Sequence, residues 1–238
     1  MNAAMYKALS GAIVQMRRLE FVSQDLANVN TAGYKGDRLV FREILTGPSP
    51  REQRGGGQVA VTEQRADLSR GDFHYTGNPF DLAIQGDGFF AVQTTRGVRY
   101  TRQGTFSLSA NNTVVTPAGE PLLGERGAIR LDGRKMEVTP EGTVLSDGNE
   151  VDKLKVVQFA DPRHLAREGY TFFRVPDDEV QAASHSQVLQ GNVEQANVNP
   201  IEAMVTLIDV QRQFEAYERA MRTMDSATEK VVNEVARI

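Results

Sequence analysis

The stretch from Asn199 to Ile238 does most to limit what this chain can fold into. After Pro200 it holds neither glycine nor proline, so nothing within it breaks a helix. Asn199 is placed to cap, Pro200 suits the first helical position, and Glu202 falls three residues after the cap, the spacing of a capping box. Leu207, Val210, Phe214, Tyr217, Met221, Met224, Thr228, Val231, Val235 and Ile238 follow in alternating steps of three and four. That is a 3.5-residue repeat, apolar except at Thr228, and it predicts a coiled-coil register. Glu215 precedes Arg219 and Glu218 precedes Arg222 by four residues, the favourable order for helical ion pairs. At 1.5 Å per residue the helix is about 55 Å long.

The other end of the chain mirrors it. Met5, Leu9, Ala12, Met16, Leu19, Ser23 and Leu26 repeat the same alternation, which predicts a second amphipathic helix with a narrow seam. Each seam buries its stripe only against another helix, so both are expected to meet neighbouring chains on assembly and to stay uncovered in a free monomer. Ala27-Asn28-Val29-Asn30-Thr31 closes the first helix and Ala196-Asn197-Val198-Asn199-Pro200 introduces the last, a short echo at the inner ends of both. The asparagines Asn28, Asn30, Asn197 and Asn199 are read as caps and backbone partners rather than as ligands.

Between the helices the period changes. After Gly33 a connector runs to about residue 70, broken by Gly47-Pro48-Ser49-Pro50 and Gly55-Gly56-Gly57. From Asp72 it becomes two: Phe80, Leu82 and Ile84 are expected to face one way, with Asp81 and Gln85 the other. Turn residues recur at Gly86-Asp87-Gly88, Arg96-Gly97, Asn111-Asn112, Asp132-Gly133 and Asp147-Gly148. The first of these is read as a hairpin turn, and a short helix is expected near residues 163–168. The fold class is therefore α+β: long N- and C-terminal coiled-coil-type helices flanking an inserted antiparallel all-β domain. The expected segments are a helix over 1–32, a connector over 33–70, a β-rich domain over 71–187, a second connector over 188–200 and a helix over 201–238.

Little in the sequence points to chemistry. His74, His164 and His185 lack metal-ligand spacing, and no cofactor-binding motif is present. There is no cysteine, which excludes disulfides and thiolate metal sites. A net charge of −4, with no basic cluster interleaved with aromatics, argues against nucleic acid. Asp81 and Asp87 are the one pair of acids worth weighing for glycan hydrolysis, which makes a glycan-directed enzyme or binding module with dimerising helices the rival from another class. No phosphate loop or nucleophile elbow supports a small-molecule substrate. Met1 to Met16 lack the basic head and unbroken apolar core of a secretory signal, and on that ground alone a cytosolic protein is expected.

Four motifs change that expectation. Leu26-Ala27-Asn28-Val29-Asn30-Thr31-Ala32-Gly33-Tyr34-Lys35 resembles the N-terminal signature of the bacterial flagellar rod and hook proteins, and Gly191-Asn192-Val193-Glu194-Gln195-Ala196-Asn197-Val198-Asn199 resembles their C-terminal one. Thr76-Gly77-Asn78-Pro79-Phe80-Asp81-Leu82-Ala83-Ile84 with Gly86-Asp87-Gly88-Phe89-Phe90, and Tyr100-Thr101-Arg102-Gln103-Gly104-Thr105-Phe106, are similar to motifs of the family's central domain. Gln24-Asp25 and Ala196 depart from the family's usual pair of asparagines and serine. The resemblance implies a structural, non-enzymatic rod subunit without cofactor. Its partners would be further copies of itself and other flagellar rod proteins, and it would be exported uncleaved by the flagellar type III apparatus to the periplasmic basal body. The short chain and Leu154-Lys155-Val156-Val157 resemble the family's proximal-rod branch, with the distal rod or hook as the alternative. On this reading the assembly surface comprises Met5, Leu9, Met16, Leu19 and Leu26 in the first helix, with Leu207, Val210, Phe214, Tyr217, Met221, Met224, Val231 and Val235 in the last. The family-motif positions are Asn28, Asn30, Thr31, Gly33, Tyr34, Asn197 and Val198.

Overall fold

The computed structural model describes residues 3–44, 58–133, 135–159, 161, 165–175, 180–182 and 186–235. Two compact units emerge. A helical unit gathers α1 (Ala3–Ala27), α2 (Pro200–Val235), β1 (Asp37–Ile44) and β2 (Gln58–Ala66) up to Arg65, and β1 and β2 pair. A β unit takes Asn28–Gly36 and Ala66–Val198. The fold is α+β, and the strand pairs with a resolved register are antiparallel.

α2 starts where its cap places it. The Asn199 side-chain Oδ1 accepts from the backbone N–H of Ile201 (3.0 Å) and of Glu202 (3.4 Å), so two orphan donors of the first turn are satisfied. Within the helical unit α1 lies against α2. Gly11 is the point of closest fit: a Cβ there would stand 2.5 Å from the Tyr217 ring. Along α2, Val210 is 1% exposed and Ala203 is buried, while Leu207, Phe214, Tyr217, Met221 and Met224 are half-buried. The side chains of Val231 and Val235 lie outside the described residues. Glu218 and Arg222 form the expected i, i+4 pair at 3.5 Å.

This corrects two expectations. The α2 seam is not uncovered in the single chain, because α1 already lies against α2. The α1 seam is also not one stripe: Ala8, Ala12 and Gln15 are buried, whereas Leu9 and Met16 are 46% and 43% exposed. Side-chain size explains the rotation. Interaxial distance is set by the residues at the contact, and a face of Ala8, Gly11 and Ala12 lets two backbones approach more closely than a face of leucine and methionine.

The β unit comprises β3 (Phe73–Tyr75), β4 (Leu82–Gln85), β5 (Phe89–Thr94), β6 (Gly97–Thr101), β7 (Ser107–Leu108), β8 (Val114–Val115), β9 (Met136–Val138), β10 (Thr143–Ser146), β11 (Asn149–Lys153), β12 (Val156–Phe159), β13 (Ala166–Glu168), β14 (Phe172–Arg174), β15 (Val180–Ala182), β16 (Gln187–Gln190) and β17 (Asn192–Glu194). The largest sheet runs β13-β14-β6-β5-β12-β15, with β11-β10-β9, β16-β4, β17-β3 and β7-β8 beside it. The period of two is clearest in β5. Phe90 and Val92 enter one core with Leu82, Ile84 and Phe106, while Phe89 and Ala91 enter a second with Tyr100, Phe159 and Phe173. In the second core the Phe89 ring lies 5.5 Å from Phe159 and 5.6 Å from Phe173, at tilted and edge-on angles.

Three local expectations differ from the structure. Gly86-Asp87-Gly88 is not a hairpin turn, because β4 pairs with β16 and β5 with β6 and β12. It carries the chain from one sheet to another. Residues 166–168 form β13 rather than a helix, pairing with β14; the preceding positions 162–164 lie outside the described residues. Asp81 does not face outward either. It is buried at 6% exposure, its carboxylate accepting from Thr76 Oγ1 at 2.7 Å and Asn78 Nδ2 at 3.2 Å.

Candidate functional site

The site is a buried strap inside the β unit where all four sequence motifs meet. It begins with the turn that follows α1, in which Thr31 N–H donates to the Asn28 carbonyl at 2.9 Å and Thr31 Oγ1 to Asn28 Oδ1 at 3.3 Å. Gly33 then takes φ +69, and its N–H donates to the Glu194 carbonyl at 2.7 Å. A Cβ on Gly33 would stand 2.2 to 2.3 Å from the backbone of Arg102 and Gln103. Only glycine combines that conformation with that approach. Tyr34 and Lys35 follow, 0% and 1% exposed.

Three charged side chains close the strap. Lys35 Nζ donates to Glu194 Oε1 at 2.6 Å and to the Ser69 carbonyl at 2.7 Å. Arg102 Nη1 donates to Glu194 Oε2 at 3.2 Å and to the Ile84 carbonyl at 3.1 Å, and Nη2 donates to the Gly86 carbonyl at 2.7 Å. Glu194 Oε1 also accepts from Gly71 N–H at 3.1 Å. The guanidinium of Arg102 stacks over Phe89, 5.2 Å from the ring centroid. Burial holds both Lys35 and Arg102 below their ordinary pKa ranges, and the Glu194 carboxylate acts against that in each case. Two cations and one anion share this interior, so Glu194 is the group on which the charge balance depends.

Around the triad, further polar groups fasten neighbouring segments. Arg167 from β13 donates through Nη2 to the Lys35 carbonyl and lies over the rings of Tyr34 and Phe173, at 5.1 and 5.4 Å. Asn197 Oδ1 accepts from Gly36 N–H at 2.8 Å, while its Nδ2 donates to the Asp67 carbonyl at 2.7 Å and to Ser69 O and Oγ at 3.1 and 3.0 Å. Asp67 N–H donates in turn to the Gly36 carbonyl at 2.7 Å. Residues 36, 67 and 197 each lie within two residues of a point where the chain passes between the two units. One amide therefore ties three segments of the β unit together.

The motif positions Asn28, Thr31, Gly33, Tyr34 and Asn197 thus come together; Asn30 is exposed and Val198 half-buried. Among the seam positions of α1, Met5, Leu19 and Leu26 are half-buried. Sequence reasoning missed Lys35, Arg102, Glu194 and Arg167 as a set. The available signal was a charged residue in each of three motifs otherwise rich in glycine, asparagine and threonine, since such charges are rarely buried unless paired. Both oxygens of the Glu194 carboxylate are occupied by structural bonds. The arrangement works as a fastener. Among the described residues no three metal-ligating side chains converge, and His164 and His185 lie outside them. No described helix is long and apolar enough to cross a membrane.

Residues 83–146 match the flagellar hook protein FlgE/F/G D1 domain, and residues 189–234 match the flagellar basal body rod FlgEFG protein C-terminal family. The chain is 33% identical to the flagellar basal-body rod protein FlgF of Caulobacter vibrioides, over 100% of its own length and 98% of the relative's. It is 32% identical to that of Mesorhizobium japonicum, over 98% and 97%. The flagellar basal-body rod protein FlgG of Bacillus subtilis is 26% identical over 98% and 99%.

Proposed function

Because the chain belongs to the bacterial flagellar basal-body rod family that includes FlgF and FlgG, we propose that it is a proximal-rod subunit that polymerises through its terminal helices and transmits torque. Full-length identity of 32 to 33% to FlgF proteins supports the proximal rod; the lower identity to FlgG leaves the distal rod as the second reading. The helical unit supplies the polymerising surface, with the coiled-coil-type seam of α2 as its spine. Its partners are further copies of the chain and other rod proteins. Delivery to the periplasmic basal body is by the flagellar type III export apparatus, without cleavage.

The observation that carries the torque reading is the strap. A load that enters the β unit is borne by the segments that carry it in, and an unfastened segment yields before it transmits. Within the β unit the segments at residues 36, 67 and 197 are held by the Asn197 amide and by the buried Lys35–Glu194–Arg102 set. Such a hydrogen-bonded network stiffens that part of the β unit.

Phe214→Asp tests the polymerising helix. Phe214 is half-buried one seam step beyond Val210. Losing its ring costs up to about 1.5 to 3 kcal/mol, and a charge in an apolar contact adds to that. The expected result is an unchanged β-unit melt with loss of incorporation into rods. Glu215→Gln, on an exposed position, is the control and is expected to change stability by no more than about 0.5 kcal/mol. Incorporation of Phe214→Asp at the level of this control would remove the Phe214 seam of α2 from the assembly surface.

A further inference from the structure

Resting on the rod reading, we propose that successive copies of this chain dock by laying an exposed apolar stripe of α1 into a matching stripe at the root of α2 on the next copy. On α1 the stripe is Leu9, Ile13 and Met16, exposed at 46%, 47% and 43%. On α2 it is Ile201, Met204, Val205 and Ile208, exposed at 51% to 73%. These are the helical positions among the exposed large hydrophobics of the described residues, and each set occupies one helical face. Beyond Ile208 the same face of α2 turns polar, with Arg212, Glu215 and Arg219 exposed.

Length and charge both match. Each stripe runs from its first to its last residue in seven steps, about 10 Å at 1.5 Å per residue. With the two helices antiparallel, Leu9 meets Ile208, Ile13 meets Met204 and Val205, and Met16 meets Ile201. Arg17 flanks the α1 stripe and Glu202 the α2 stripe, both exposed. Seen from each N-terminus the two flanks lie on the same rotational side, and antiparallel docking brings same-sided flanks together. At this register Arg17 stands beside Glu202, so opposite charges meet at the rim. Arg17 already pairs with the exposed Glu20 at 2.8 Å, and its guanidinium has donors for both carboxylates.

The two stripes cannot pair within one chain. Gly11 lies level with Tyr217, which puts Ile13 level with position 215, ten residues or about 15 Å along α2 from Val205. Docking therefore displaces each copy by about that length relative to the last. The contact is heterologous and displaced along the helix axis, so it propagates instead of closing into a ring.

The native chain has no cysteine, which allows a direct test. Ile13→Cys and Val205→Cys are introduced separately and together, and thiol cross-linking is run on basal bodies isolated from cells in which these are the only copies of the chain. Cells carrying a mixture of the two single variants are expected to give a two-chain product several-fold above either variant alone, and the double variant a ladder. Self-linking of a single variant, linkage only to a different rod protein, or no linkage in chain that is incorporated overturns the pairing while leaving the rod reading intact. Absence of the unsubstituted chain from basal bodies overturns both.

Discussion

Glu194→Gln is expected to destabilise the β unit far more than Lys35→Met, although the two side chains form one ion pair at 2.6 Å. The difference comes from what each variant leaves behind. Without Lys35, the remaining pair of Glu194 and Arg102 is electrically balanced at 3.2 Å. Glu194 Oε1 keeps Gly71 N–H, and the Ser69 carbonyl keeps Asn197 Nδ2. The cost is then that of lost hydrogen bonds to a charged group, about 1.5 to 3 kcal/mol, partly offset because burial already disfavours the charged ammonium. Without the Glu194 charge, two buried cations face each other with no anion between them. Breaking a buried pair in that way costs about 3 to 5 kcal/mol, which lowers the melting temperature of a unit this size by on the order of 10 °C. Thermal melts of the full chain, followed by β-sheet circular dichroism, compare the two variants. If Lys35→Met melts as low as Glu194→Gln, charge balance is not what holds the strap.

The second large effect is expected at Gly33→Ala. At φ +69 an alanine bears the strain of the left-handed region, about 1 kcal/mol or more. Its Cβ would also stand 2.2 to 2.3 Å from main-chain atoms of Arg102 and Gln103, which cannot rotate away as a side chain can. Relief requires the 33–36 segment to lift, which breaks the Gly33 N–H bond to Glu194 and pulls Lys35 from its carboxylate. Overpacking of this kind adds about 1 to 3 kcal/mol. The strap should therefore open locally, and amide exchange at Gly36, whose N–H is held by Asn197, should speed up before the sheets of the β unit lose protection. Unchanged exchange at Gly36 in Gly33→Ala would show that the close approach to Arg102 is not a constraint.

How much of this was legible in the sequence depended on the range of the forces involved. The start of α2 is a local matter of Asn199 and Pro200, and it lies where the capping pattern puts it. The turn at Asp147-Gly148, with φ +49 and +86, is equally local. The face that α1 turns to α2 was not legible from hydrophobicity, because Leu9 and Met16 are more apolar than Ala8 and Gly11. Contact distance favoured the small residues, and Tyr217 occupies the space that Gly11 leaves. The turn at Gly86-Asp87-Gly88 is not legible locally, because β4 finds its partner in β16, about a hundred residues later. Lys35 and Glu194 are 159 residues apart. Their motifs were each recognisable, but nothing in either one announces that its charged residue completes the other.

The central claim is that this chain is a structural subunit of the flagellar rod, held in the rod by its terminal helices and stiffened at its strap. Electron cryomicroscopy of basal bodies isolated from the organism that expresses it tests this most directly. Density is expected for α1 and α2 within the proximal rod, packed against the helices of neighbouring subunits, with residues 33–36 and 194–197 continuous and ordered beside Arg102. Rods complete without this chain, or a chain present whose α1 and α2 touch no neighbouring subunit, would contradict it.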